Sequence, residues 1–189
     1  MRLATFALRF LARILLVWLV LALQGFDGSA SASTGTHLCR ASQLRITLGP
    51  LLSPPSGQHP LAFRVTDRGP TTCHLRGYPS VVLVDGRGRV LPFVVRNRGD
   101  LVVTSRPPTD VRVRSGHSAW VVLNKYRCDR RDLRVARAVR VGLPGDRRSD
   151  GLRLALRSDS SIAYCGKGDP GSKIAVSPVE PTLRAALAH

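Results

Sequence analysis

Residues 44–66 read LRITLGPLLSPPSGQHPLAFRVT, and this stretch decides the fold. Leu44, Ile46 and Leu48 alternate with Arg45 and Thr47. Gly49-Pro50 and the proline-rich residues 53–57 interrupt the run. The same period then returns, with Leu61, Phe63 and Val65 on one side and Ala62, Arg64 and Thr66 on the other. Successive side chains of an extended chain point to opposite faces, so a period of two puts one face in a core and the other in water. The stretch therefore predicts two half-buried strands.

The same reading extends outward along the chain. Residues 80–84 and 90–95 flank Asp85-Gly86-Arg87-Gly88, a hairpin signal because aspartate and glycine tolerate the backbone angles of a tight turn. Pro92 cannot donate to a ladder, which demotes the second strand toward an edge or a bulge. Residues 97–110 read as a loop reaching a strand at 111–114. Ser115-Gly116-His117 turns into a strand at 118–123, with Trp120 and Val122 on one face. After Cys128, apolar residues fall on the odd positions Leu133, Val135, Val139, Val141 and Leu143, with Arg137 the exception. Leu152, Leu154 and Leu156 alternate with Arg153, Ala155 and Arg157, and residues 174–176 supply a last short strand. Pro178 and Pro181 mark a C-terminal tail, residues 179–189, expected to be mobile or weakly helical. Seven or more short strands between glycine and proline turns predict an all-β, antiparallel, immunoglobulin-like β-sandwich, with a barrel as the alternative. Composition agrees: Glu180 is the one glutamate against eleven aspartates, and aspartate favours turns where glutamate favours helices.

The N-terminus predicts export. Arg2, Arg9 and Arg13 precede an apolar run at 14–23 that ends at Gln24 and Gly25. A bilayer core of ~30 Å needs ~20 helical residues, whereas the apolar region of a signal peptide needs only about 7 to 15. Ala30-Ser31-Ala32 offers the small-x-small pattern of a cleavage site, so residues 1–32 are expected to be a signal peptide cut after Ala32, or alternatively after Ala30. An uncleaved interfacial or membrane anchor is the competing reading. Residues 33–178 would then be a single secreted β domain, either free outside the cell or associated with its wall. No lipid anchor is expected, because Thr36-His37-Leu38 lacks the small residue that precedes a lipidated cysteine.

Cys39, Cys73, Cys128 and Cys165 are even in number and contain no CxxC pair. In an exported chain this predicts two disulfides, and the close ligand pairs of a structural zinc site are missing. Four cysteines allow three connectivities, and spacing alone does not choose. The expected pairing is Cys39 with Cys73 and Cys128 with Cys165, which closes loops of similar length.

The formal net charge is +17, and only three of the 29 basic residues are lysines: Lys125, Lys167 and Lys173. Such an arginine excess has two sources, the codon bias of a GC-rich genome and selection for planar, bidentate anion contacts. The densest basic stretch is Arg127, Arg130, Arg131, Arg134, Arg137 and Arg140, partly offset by Asp129 and Asp132. It reads either as a solvated face or as a polyanion patch. Nucleic acid is not an expected partner, since only Tyr126 is near enough to interleave a stacking ring.

Motifs for chemistry are weak. Residues 166–171 match G-x-G-x-x-G, but a dinucleotide site needs a helix after the glycines, and here a strand-like segment follows Pro170. Ser118 with His117 and Asp110 is the nearest approach to a hydrolase triad, yet adjacent strand residues point to opposite faces. Asp146 and Asp150 faintly resemble a calcium loop, but Arg147 and Arg148 between them oppose a cation. His37, His59, His74, His117 and His189 are scattered. No catalytic residue, cofactor or metal ligand is therefore assigned.

One segment carries a resemblance. Cys73-His74-Leu75-Arg76-Gly77-Tyr78-Pro79, followed by Val81, Leu83 and Gly86, resembles the C-x-L-x-G-Y-P segment of the family known as domain of unknown function 4232. Cys39, Gly116 before Trp120, Cys128, Leu143-Pro144-Gly145, Cys165-Gly166 and residues 176–179 follow the pattern in order. Asp67 stands where such sequences often carry asparagine. The resemblance implies an exported, cysteine-paired β domain of high-GC bacteria with no established activity. Physically the motif reads as architecture: Cys73 staples a strand end beside Leu75, Gly77 permits an unusual backbone angle, and Pro79 leads into the next strand. Tyr78 is expected to pack on the core edge with its hydroxyl bonded to backbone. The functional expectation is a non-catalytic module of the cell envelope that meets an anionic wall polymer, a membrane surface or an envelope protein. A secreted enzyme whose site forms only in three dimensions and a secreted inhibitor are the alternatives.

Overall fold

A computed structural model describes residues 37–129, 133–145 and 151–188. The expected signal peptide and its cleavage sites, Arg130, Arg131, Asp132, residues 146–150 with Asp146 and Asp150, and His189 lie outside the described residues.

The described chain opens with β1 (His37–Leu38) and a 3-10 turn at Ala41–Gln43. The alternating stretch then forms β2 (Leu44–Leu48) and β3 (Leu61–Asp67), paired antiparallel with Leu44 opposite Asp67 and Leu48 opposite Phe63. β4 (Cys73–Arg76), β5 (Ser80–Val84), β6 (Val94–Arg96), β7 (Asp110–Val113) and β8 (Ser118–Asn124) follow. The remaining strands are β9 (Arg134–Ala136), β10 (Ala138–Gly142), β11 (Leu152–Ala155), β12 (Ile162–Tyr164) and β13 (Lys173–Val176), with one helical turn, α1 (Leu183–Ala186), at the end. Among the described residues no helix is long and apolar enough to cross a membrane.

The strands make a sandwich-like all-β fold. A five-stranded sheet in the order β2-β3-β8-β13-β6 forms one layer. Its inner side chains, including Phe63, Val65, Val121, Leu123 and Ile174, share one core with Val81, Leu83, Val139 and Val141 of the sheet β11-β10-β5. Leu75, Val111 and Val113 of the sheet β1-β4-β7 close the same core. Burying each such side chain contributes about 1.5–3 kcal/mol before the entropy of ordering it is charged. Pairing is mostly antiparallel, but β1 with β4 and β13 with β6 run parallel, a departure from the all-antiparallel expectation.

Two further departures have local causes. The turn after β5 forms as the sequence suggests, with Asp85 Oδ1 accepting from Arg87 N and Arg89 N and Gly88 at φ +80°. The returning strand nevertheless ends almost at once: Leu91 N donates to Leu83 O, Pro92 has no donor to continue, and Val94–Arg96 crosses to pair with β13. At Arg137 the long odd-numbered run breaks into β9 and β10, which belong to different sheets. The buried set shifts there too, to Ala136 and Ala138 beside Val139 and Val141.

Residues 179–188 do not stand free as a tail. Val179, Glu180 and Ala186 are buried, Val179 N donates to Gly77 O, and Ala188 N donates to Val102 O. The reason lies on the outer face of the five-stranded sheet, where Ala62, Trp120, Val122 and Ala175 form an apolar surface. Ala186, Leu183, Leu187 and Val103 cover it.

Both disulfides adopt the expected pairing, Cys39–Cys73 with Cα atoms 4.9 Å apart and Cys128–Cys165 with Cα atoms 5.4 Å apart. They close loops of 34 and 37 residues, each worth about 4 kcal/mol in the chain-entropy picture.

Candidate basic pocket beside the second disulfide

The end of β8 builds the site. Strand alternation carries Leu123 into the core, and Asn124 beside it is fully buried. Asn124 Nδ2 donates to Gln58 Oε1 at 2.6 Å and to Asp100 Oδ2 at 2.8 Å, while Asn124 Oδ1 has no partner among the described residues. Asp100 is committed to structure: its Oδ1 also accepts from Val102 N and Val103 N, both at 2.8 Å. A carboxylate held by three donors fixes the 98–103 turn over the end of the sheet.

Lys125 follows, only 2% exposed. Its Nζ donates to Tyr126 O and lies 3.7 Å from Cys128 Sγ and 3.6 Å from Cys165 Sγ. Burial pulls its pKa down to about 8, with Asp169 acting in the opposite direction.

The parallel register of β6 on β13 supplies the other cations. Lys173 pairs with Val94 and Ala175 with Arg96, which sets Lys173 and Arg96 on the same outer face, and Arg98 follows two residues on. Together Arg96, Arg98, Asp100, Lys125, Tyr126 and Lys173 line a cavity of about 250 Å³. Among the described residues the ion pairs are His74 with Asp110 and Arg89 with Asp85, so none of the four pocket cations is within 4.0 Å of a carboxylate. The one carboxylate in the wall is already occupied. Such an arrangement can hold an anionic group through charge-assisted hydrogen bonds.

A larger cavity of about 540 Å³ lies between β2 and β11, with Ile46, Leu48, Leu61 and Leu154 in its wall and Arg45, Arg157 and Asp159 at its polar positions. Its charges are of both signs, and it concentrates no single chemistry.

The structure distributes the arginine stretch over several places. Arg127 is exposed beside the pocket, its Nε donating to Gln58 O at 3.2 Å. Arg134 stacks over the Tyr164 ring at 5.0 Å. Arg137 marks the break between β9 and β10. Arg140 lies on the outer face of β10 directly opposite Arg153, with its Nε buried and without a partner among the described residues. The pocket cations Arg96, Arg98 and Lys173 were not singled out by sequence reasoning. The alternation of Val95, Arg96, Asn97 and Arg98 was the available signal, but it ran into a segment read as loop.

The motif residues hold architecture. Gly77 has φ +117° and its carbonyl receives the chain at Val179, Cys73 and Leu75 are buried, and Pro79 precedes β5. Tyr78 is half-buried as expected, but its hydroxyl forms no backbone hydrogen bond among the described residues. Ser118 Oγ is bonded to Thr66 Oγ1 at 2.8 Å, His117 Nδ1 faces Ser115 O of its own turn, and Asp110 is held by His74, so the three do not converge. Residues 166–171 form a glycine turn, with Gly166 and Gly168 at positive φ and Asp169 Oδ1 accepting from Gly171 N, that leads into β13.

A family profile described as Domain of unknown function (DUF4232) matches residues 39–180. No curated protein and no solved structure matches the chain.

Proposed function

The chain belongs to the DUF4232 family, whose description assigns no activity, and from the basic pocket we propose that it is a non-catalytic binding module for an anionic polymer of the cell envelope. The observation that carries this reading is the set of four cations, Arg96, Arg98, Lys125 and Lys173, around one cavity whose single carboxylate is spent on the fold. Guanidinium groups suit phosphate and carboxylate because their planar donors engage two oxygens at once. A repeating anion would extend from the pocket past Arg127, which stands at its margin. Two disulfides fit an oxidising compartment, and the proposed export through residues 1–32 delivers the domain there. The dispersal of Ser118, His117 and Asp110 supports a binding role over a hydrolytic one.

Exposed charges are screened beyond ~8 Å at physiological ionic strength, so such binding must weaken with salt. The experiment is co-sedimentation of the protein with cell-wall fragments, before and after their anionic polymers are stripped, across a salt series. Retention that falls with salt, with polymer removal and with Arg96→Glu/Arg98→Glu is the expected result. Equal retention at low and high salt, or transfer of binding to lipid vesicles alone, overturns the reading.

A further inference from the structure

Each disulfide lies against a buried ionisable side chain, and the two neighbours have opposite charge. Asp67 is fully buried, with Oδ2 3.6 Å from Cys73 Sγ and Oδ1 accepting from Gly69 N at 2.7 Å. Lys125 brings its ammonium within 3.6 and 3.7 Å of the two sulfurs of Cys128–Cys165. Access differs in the same sense. Cys39, Cys73 and Cys165 are buried, whereas Cys128 is half-exposed.

We propose that Cys128–Cys165 is a thiol–disulfide exchange site in which Lys125 stabilises the departing Cys165 thiolate, and that its reduction switches off the adjacent anion pocket. The attacking species is the thiolate of a small dithiol. Its sulfur bonds to Sγ of Cys128, the less buried cysteine of the pair, the Cys128–Cys165 bond breaks, and the electron pair leaves on Cys165 Sγ beside the Lys125 ammonium. The second thiol of the reagent then loses its proton and attacks the mixed disulfide, releasing Cys128. Two electrons pass from the dithiol, which becomes a disulfide, to the protein. Of its two protons one ends on Cys128, and the other enters solvent while Cys165 remains a thiolate.

Exchange is faster when the leaving thiol has a low pKa and the attacking anion is not repelled. Lys125 supplies both conditions at Cys128–Cys165. Asp67 opposes both at Cys39–Cys73, where an incoming thiolate would meet a buried carboxylate. The coupling to ligand binding rests on the anion-pocket reading. In the oxidised protein the Lys125 ammonium faces neutral sulfurs and its charge serves the pocket, whereas a thiolate at the same distance neutralises it. Packing adds a second link: a Cβ on Gly171 would stand 2.3 Å from Cys165 Sγ, so the turn that leads to Lys173 rests directly on the disulfide.

The test begins with the full oxidised chain, titrated with dithiothreitol, quenched by an alkylating reagent and mapped by peptide mass spectrometry. Cys128 and Cys165 are expected to be alkylated at about a tenfold lower dithiol concentration than Cys39 and Cys73. Thiolate absorbance near 240 nm should appear at neutral pH, be lost in Lys125→Met and persist in Lys125→Arg. Asp67→Asn should narrow the gap between the two disulfides, and serves if the Lys125 variants do not fold. Simultaneous opening of both disulfides, earlier opening of Cys39–Cys73, or a gap indifferent to both Lys125→Met and Asp67→Asn overturns the exchange site. Pyrophosphate binding is then compared in the oxidised and selectively reduced protein. A several-fold loss on reduction supports the coupling, and equal binding by both forms overturns it while leaving the exchange site standing. Absence of pyrophosphate binding in the oxidised form overturns the anion pocket, and the coupling with it, independently of the alkylation result.

Discussion

Trp120 and Glu180 exchange both of their backbone hydrogen bonds, Trp120 N to Glu180 O at 2.8 Å and Glu180 N to Trp120 O at 2.9 Å. This bridge pins residues 179–188 across the outer face of the five-stranded sheet, where the Arg64 guanidinium lies over the Trp120 ring at 5.1 Å. Deleting residues 179–189 therefore strips an apolar layer as well as a chain end. The expected loss is at least about 3 kcal/mol, on the scale of uncovering a few buried aliphatic side chains. Chemical denaturation should show a lower midpoint, and a hydrophobic dye should bind the truncated protein under native conditions.

Glu180 itself is 3% exposed, with Oε1 lacking a partner among the described residues, and its burial raises its pKa while Arg106 opposes the shift. A folded-state carboxyl with a raised pKa holds its proton longer than the unfolded chain does. Its burial penalty is therefore absent at low pH and is felt in full above the raised pKa. Glu180→Gln should leave stability unchanged well below the ordinary carboxylate range and raise it near neutrality. A pH series of thermal melts on the two proteins checks this, and a difference independent of pH would assign the effect to shape rather than charge.

Much of the fold was legible because its signals are local. The period of two at 44–48 and 61–67, the turn at Asp85 and the four cysteines each need only a few neighbours to be read. What escaped depends on partners far along the chain. The strap at 179–188 carries apolar residues at Leu183, Ala186 and Leu187, but nothing local says what they cover; its placement follows from Trp120 and Val122 needing cover on a face that alternation alone marks as outward. Residues 90–95 read as the return of a hairpin that Pro92 weakens, but that Val94–Arg96 leaves to pair with β13 depends on a partner far along the chain. The pocket was illegible for the same reason: Arg96 and Arg98, Lys125, and Lys173 belong to three segments that meet only because β13 pairs with β6 on one side and with β8 on the other. Lys125 was recognisable as one of three lysines, but its burial beside two sulfurs is a property of the folded chain.

Arg140 stands directly across the β10–β11 ladder from Arg153. Like charges in a directly opposed pair destabilise a sheet, and an opposite-charge pair contributes roughly 0.2–1 kcal/mol. Arg153→Glu should therefore stabilise the domain by about that amount, and high salt should shrink the gain. Arg153→Ala should recover part of it by relieving repulsion alone. The comparison of melting midpoints at low and high salt checks the prediction, and a destabilised Arg153→Glu would count against the pairing.

Lys125 gives a prediction with two readouts of opposite sign. Its pKa is about 8 in the folded protein against an ordinary 10.5, so between those values the unfolded chain binds the extra proton. Stability contributed at this position must then rise with pH across that window, because the penalty for burying the ammonium operates below about 8 and is relieved as the folded lysine loses its proton first. Burial drives the shift and Asp169 resists it, while Arg96, Arg98, Asp100 and Lys173 of the cavity wall and the neighbouring Arg127 and His59 complete the titratable surroundings. Relative to Lys125→Met, the wild-type protein should therefore gain stability from pH 7.5 to pH 10. Its affinity for pyrophosphate should fall over the same interval, as the pocket loses one of four positive charges, whereas Lys125→Met should bind weakly with a flatter profile. Stability and affinity moving in the same direction would mean that the lysine serves packing rather than ligand.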